Sequence, residues 1–145
     1  ILTHLSRSSK RSFTVEGEEL LLDTQVLLWI LAGSERIETK SFKEIVSGAS
    51  FSVNQTSIWE IQIKYDLGKL SLPRRPGKWL LEAIDKSGIR YKGISDEAIF
   101  TLGKLPMVHR DPFDRLIVAH ALVERQTLVT SDMRLEDYPI DVLFI

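Results

Sequence analysis

The chain has 145 residues, 43% of them apolar, the size of one domain (roughly 100–200 residues) with enough apolar material to fill a core. Its lack of cysteine excludes a disulfide scaffold, a thiolate zinc site and a cysteine nucleophile. With 19 Lys and Arg against 20 Asp and Glu, the formal charge is −1, so any nucleic-acid contact must come from a local patch rather than a global basic field.

Residues 1–18 differ from the rest. Ser6-Arg7-Ser8-Ser9-Lys10-Arg11-Ser12 is basic and serine-rich, with no acid before Glu16. The stretch opens on Ile rather than Met and reads as a leader, a processed end or a vector-derived arm, expected to be disordered and set apart from a folded domain over residues 19–145. Leu20–Leu22 then reads as a buried strand ending at Asp23, and Gln25–Ala32 as a helix stopped near Gly33. The apolar run Val26–Ala32 is far short of the roughly 18–20 residues that span a bilayer, so no membrane partner and a cytoplasmic location are expected. A helix over Ile37–Val46 and a strand over Phe51–Asn54 follow. Ile58–Leu67 is helical with a Gly68 stop, and Pro73 and Pro76 mark a loop before a helix at Lys78–Lys86. Ile89–Tyr91 is a strand, Asp96–Leu102 a helix, and Pro112–Glu124 the strongest helix of the chain. Thr127–Thr130 and Val142–Ile145 complete a set of five strands. Short, continuously apolar strands alternating with helices predict an α/β fold: a parallel sheet covered on both faces.

In such a sheet, ligands sit beyond the carboxyl ends of the strands. Asp23, Glu60, Asp114 and Asp132 are all expected at that edge. Each has an ordinary structural role available. Ser57-Ile58-Trp59-Glu60 is a capping-box pattern, and Asp111-Pro112-Phe113-Asp114 reads as N-cap, proline at N1 and acid at N3. Asp23 suits a cap and Asp132 an Asx-turn. Taken singly, Glu60 and Asp111 favour the capping role. Capping does not explain the convergence, because clustered carboxylates repel and raise one another's pKa unless a cation neutralises them. Oxygen donors without cysteine suit Mg²⁺ or Mn²⁺, and His4, His109 and His120 are too scattered in sequence to suggest a zinc site.

The segments Leu21-Leu22-Asp23-Thr24-Gln25-Val26-Leu27-Leu28-Trp29, Ser57-Ile58-Trp59-Glu60-Ile61, Gly68-Lys69-Leu70, His109-Arg110-Asp111-Pro112-Phe113-Asp114-Arg115-Leu116-Ile117-Val118-Ala119 and Leu128-Val129-Thr130-Ser131-Asp132 together resemble the PIN domain, and more closely the VapC-type toxins of bacterial toxin–antitoxin pairs. The resemblance runs from about Glu19 to the carboxyl end. It implies a three-layer α/β/α fold and a Mg²⁺- or Mn²⁺-dependent endoribonuclease that cuts single-stranded RNA, is silenced by a cognate antitoxin and forms a homodimer. The family's acids fall on Asp23, Glu60, Asp114 and Asp132 as catalytic and metal-binding residues, with Asp111 as a fifth candidate. Relatives often carry His where this chain has Gln25, which hydrogen-bonds but does not titrate near neutrality.

On that basis Asp23 and Asp114 are the expected direct ligands, with Glu60 and Asp132 completing the set directly or through water. Thr24, Thr130 and Ser131 are placed to orient water or phosphate. Arg115 pairs with phosphate or with Asp114. Lys64, Lys69, Arg74, Arg75 and Lys78 form a local basic segment for RNA, with Tyr65 and Trp79 as stacking faces. Trp29 and Trp59 are expected in the core. A DNA-cutting metallonuclease and a non-catalytic PIN-like interaction module stay open as alternatives. A phosphoacceptor receiver domain is disfavoured because Leu22-Asp23-Thr24 offers a single acid where a pair is wanted.

Overall fold

The computed structural model describes residues 6–7 and 15–145; the other residues of the expected arm lie outside the described set. A two-residue strand β1 (Ser6–Arg7) precedes β2 (Glu19–Leu22), α1 (Thr24–Ala32), α2 (Lys40–Ile45), β3 (Ser50–Asn54) and α3 (Gln55–Asp66). Then come α4 (Lys78–Lys86), β4 (Arg90–Lys92), α5 (Asp96–Thr101), α6 (Pro112–Glu124), β5 (Leu128–Thr130) and β6 (Val142–Phe144). The sheet order is β1-β6-β5-β2-β3-β4. β2 to β6 run parallel, as their uninterrupted apolar sequences require, while β1 pairs antiparallel with β6.

Alternation along the strands divides two cores. Leu20 and Leu22 point into one layer, with Val26 and Leu27 of α1, Ile61 of α3 and Leu80 and Ile84 of α4. Leu21 and Leu128 point into the other, with Ala98 of α5 and Leu116, Ile117 and Val118 of α6. The result is the expected three-layer α/β/α arrangement. Most boundaries agree with the sequence reading to within a residue, but two helix starts do not. α2 starts at Lys40 because Thr39 caps it, its hydroxyl accepting the Phe42 N–H at 3.0 Å. α3 starts at Gln55 because Asn54, not Ser57, is its N-cap and accepts the Thr56 N–H at 2.9 Å. Ser57 and Glu60 therefore belong to the body of α3, and the capping-box role for Glu60 is replaced by one directed across the structure.

From β2 the chain steps outward to β3 and β4, then returns to place β5 on the other side of β2. The crevice at the carboxyl ends of β2 and β5 is the topological switch point, where open α/β sheets bind ligands. Asp23 follows β2 directly, and Ser131 and Asp132 follow β5.

Candidate acidic active site

A cleft of about 370 Å³ opens at this switch point, and Asp23, Glu60, Asp111, Asp114 and Asp132 all line it. Each acid is delivered by local chemistry. Asp23 caps α1, accepting the Thr24 N–H at 2.8 Å. Its other oxygen accepts the Thr130 hydroxyl at 2.6 Å, and the same hydroxyl oxygen receives the Asp132 N–H at 3.0 Å. One buried threonine thus ties the ends of β2 and β5 together. Asp111 caps α6 as the sequence suggests, with its Oδ1 2.8 Å from the Phe113 nitrogen, and Pro112 at N1 sets Asp114 in the first turn. Glu60 reaches in from α3 and is held by the Thr24 hydroxyl at 2.6 Å and by the Lys64 ammonium. Beside these acids, Trp59 and Phe113 meet edge to face with centroids 4.8 Å apart, which fixes α3 against α6.

Asp114 stands apart. Among the described residues it is the one acid of the cleft whose carboxylate accepts no hydrogen bond. Burial, then the charges of Asp23, Asp111, Glu60 and Asp132, push its pKa up to about 8. Burial also raises Asp23, reinforced by Glu60 and Asp132 and opposed by its hydrogen bonds to Thr130 and Thr24. Asp132 goes the other way because Arg134 grips both of its oxygens, at 2.8–3.0 Å. Lys64 is held in its charged form by Glu60 in spite of partial burial.

These residues fit a divalent cation. Donor atoms of Glu60, Asp111 and Asp114 lie within 4.8 Å of one another, as do those of His109, Asp114 and Asp132. Asp114 is common to both sets. Asp23, expected as a direct ligand, belongs to neither, although its charge acts on Asp114. His109 went unrecognised in the sequence: its Nε2 is 3.3 Å from Asp114 Oδ2 and 3.5 Å from Asp132 Oδ2. Arg134 was missed as well, since nothing in Asp132-Met133-Arg134 shows that the turn brings its guanidinium back onto Asp132.

The other candidates divide. Thr24, Gln25, Ser131, Lys64 and Lys69 line the cleft. Arg115 does not serve the acids: its guanidinium binds the Pro106 carbonyl at 2.9 Å, the Leu102 carbonyl at 3.1 Å and the Tyr138 hydroxyl at 3.3 Å. Arg74 lies over the Trp79 ring at 5.3 Å, and the Arg75 carbonyl accepts the Trp79 indole N–H at 2.6 Å, so this half of the basic segment is outside the cleft wall. Trp29 packs partly buried against the core, as do Leu28 and Leu31. Trp59, expected inside, is 49% exposed and begins a stripe with Ile63 and Leu67 on the outer side of α3. Among the described residues no helix is long and apolar enough to cross a membrane.

The PIN domain family model matches residues 20–141. No curated protein matches significantly. Among solved structures, the chain is similar to VapBC2 from Rickettsia felis bound to a DNA fragment from their promoter, with 18% identity, a TM-score of 0.60 and coverage of 86% of this chain and 98% of that one. It is similar to DNA-bound VapBC from Salmonella typhimurium at 17% identity, TM-score 0.59, covering 86% and 96%. A domain of a functionally unknown protein from Methanocaldococcus jannaschii shares 16% identity at a TM-score of 0.50, covering 89% and 91%. At these identities the likeness is one of fold.

Proposed function

The chain belongs to the PIN domain family, and on that footing we propose that it is the toxin of a VapC-type toxin–antitoxin pair, a Mg²⁺- or Mn²⁺-dependent endoribonuclease acting on single-stranded RNA in the cytoplasm. The observation that carries this reading is Asp114: partly buried and facing four other carboxylates across one cleft. Such a group calls for a cation. Asp114, with Glu60, Asp111 and Asp132, would hold the ion, and Asp23 would add its charge from the end of β2. When bound, a divalent cation supplies neutralisation of phosphate charge and acidification of water.

The chain's own residues supply the rest. Thr24 and Thr130 hold Glu60 and Asp23 in fixed rotamers, so the acids need little rearrangement when the ion and substrate arrive. Lys64 and Lys69 stand on the cleft wall where a phosphodiester backbone approaches, and each would contribute a non-specific electrostatic contact. The likeness to two VapBC proteins supports an antitoxin partner, and the exposed Trp59, Ile63 and Leu67 stripe offers an apolar surface for that protein or for a second copy of the chain.

The test is cleavage of matched single-stranded RNA and DNA with Mg²⁺ or Mn²⁺, repeated in EDTA and with Asp114→Asn. RNA cleavage that needs the ion and is lost in the variant is the expected result. Activity surviving both treatments overturns the reading, and preferential cutting of DNA replaces it with a DNA nuclease.

A further inference from the structure

His109 lies in the loop before α6 with its side chain 8% exposed. Its Nε2 is buried and makes no hydrogen bond, yet it is aimed between Asp114 Oδ2 at 3.3 Å and Asp132 Oδ2 at 3.5 Å. The other ring nitrogen decides what Nε2 is. Nδ1 accepts the Asp111 backbone N–H at 3.1 Å. A ring nitrogen that accepts a hydrogen bond carries no proton, so the single proton of the imidazole is on Nε2. What points at the two acids is therefore an N–H donor and not a lone pair.

The ring's position is built by its surroundings. The Tyr138 hydroxyl receives the His109 N–H at 3.0 Å and lies 3.5 Å from the His109 carbonyl. Arg115 in turn binds Tyr138 and the carbonyls of Leu102 and Pro106, fastening the start of the loop to α6. Asp111 holds the ring itself through its amide, while its side chain caps α6. His109 is thus locked in one tautomer by the same turn that delivers Asp114.

We propose that His109 is a positioning residue, donating Nε2–H to Asp114 and Asp132 and orienting them toward the cation while remaining outside its coordination sphere. This rests on the metal-dependent reading of the cleft. It has a consequence for metal choice: with the imidazole excluded, every protein ligand is an oxygen, which suits a hard cation over zinc or nickel.

The experiment uses the whole chain loaded with Mn²⁺. Pulsed electron paramagnetic resonance of the unmutated protein reads whether nitrogen is bonded directly to the ion, and titration calorimetry reads affinity. The spectrum is expected to show no directly bonded imidazole nitrogen. His109→Leu is expected to weaken Mn²⁺ binding by about ten- to a hundredfold, the usual effect of losing an outer hydrogen bond to a ligand. His109→Gln, whose amide donates from near the Nε2 position, is expected to retain affinity within a few-fold. A bonded nitrogen that disappears in His109→Gln overturns the proposal, as does unchanged affinity in a folded His109→Leu. Failure of Mn²⁺ to bind, or binding indifferent to Asp114→Asn, instead overturns the metal reading beneath it, and the proposal with it. The spectrum needs no variant, so the proposal stays exposed to test even if His109→Leu fails to fold.

Discussion

Thr24 Oγ1 lies 2.6 Å from Glu60 Oε1, joining the first turn of α1 to the middle of α3 across 36 residues of sequence. The Ser57 hydroxyl sits 2.8 Å from the Thr24 hydroxyl, so the contact is part of a small buried network. Removing it leaves Oε1 of the buried Glu60 carboxylate without its donor, while Lys64 still holds the other oxygen. Thr24→Val, which keeps the shape, is expected to cost about 1–3 kcal/mol in denaturant unfolding and to lower RNA cleavage about tenfold or more. Thr24→Ser should recover most of both. A Val variant as active as the parent would remove Glu60 orientation from the mechanism.

The raised pKa of Asp114 makes a prediction about stability whose sign is opposite to that of most acids. Its proton is released near about 4 in the unfolded chain but at about 8 in the folded one. The folded state binds the proton more tightly, so this contribution is complete below about pH 4 and is lost as pH rises through about 8. Asp23 acts in the same direction, whereas Asp132, lowered by Arg134, contributes stability that is complete above about pH 4 and is lost only as the pH falls below that. In EDTA, the melting temperature should fall from pH 5 to pH 8 by on the order of 5 °C, and Asp114→Asn should abolish most of that fall. An identical slope in the variant would assign the pH dependence elsewhere.

Cation binding should draw on the same proton. Below about pH 8 an ion bound at Asp114 would have to displace its proton, so Mn²⁺ affinity is expected to climb with pH and level off above about 8. Calorimetry in two buffers of different ionisation enthalpy reads the released proton directly. Equal heats in both buffers at pH 6.5 would contradict it.

Arg115 and Lys69 should separate cleanly. Arg115 clamps the loop through Pro106, Leu102 and Tyr138, so Arg115→Ala is expected to lower stability by about 1–3 kcal/mol and reduce activity without altering the salt dependence of RNA binding. Lys69 lines the cleft, and Lys69→Ala should leave stability nearly unchanged while reducing the salt slope by roughly 0.7 for one lost phosphate contact. Filter binding over a salt series, alongside thermal melts, distinguishes the two.

What the sequence made legible was local in origin. The Asp111-Pro112 pair announces the start of α6, and the runs Leu20–Leu22 and Leu128–Thr130 announce buried parallel strands, because capping and strand burial are decided within a few residues. The sheet rule then placed Asp23, Glu60, Asp114 and Asp132 around one cleft. Long-range partners were not legible. The capping-box pattern at Ser57–Glu60 looked sound until Asn54 took the cap and Thr24, from another helix, took Glu60. His109 appeared isolated because the acid it faces at Asp132 arrives from beyond α6 and β5. Arg115 looked like a phosphate or acid partner because its neighbour is Asp114, yet it turns to carbonyls on the preceding loop.

The bond from Thr130 to Asp23 closes 107 residues of chain. A protein made from its amino end at roughly 5–20 residues per second carries Asp23 for on the order of 5–20 s before Thr130 exists to meet it. Until β5 slides in beside β2, the acids of the first half have neither their neighbours nor a cleft to face. No product of synthesis that stops short of Thr130 holds this bond between the ends of β2 and β5.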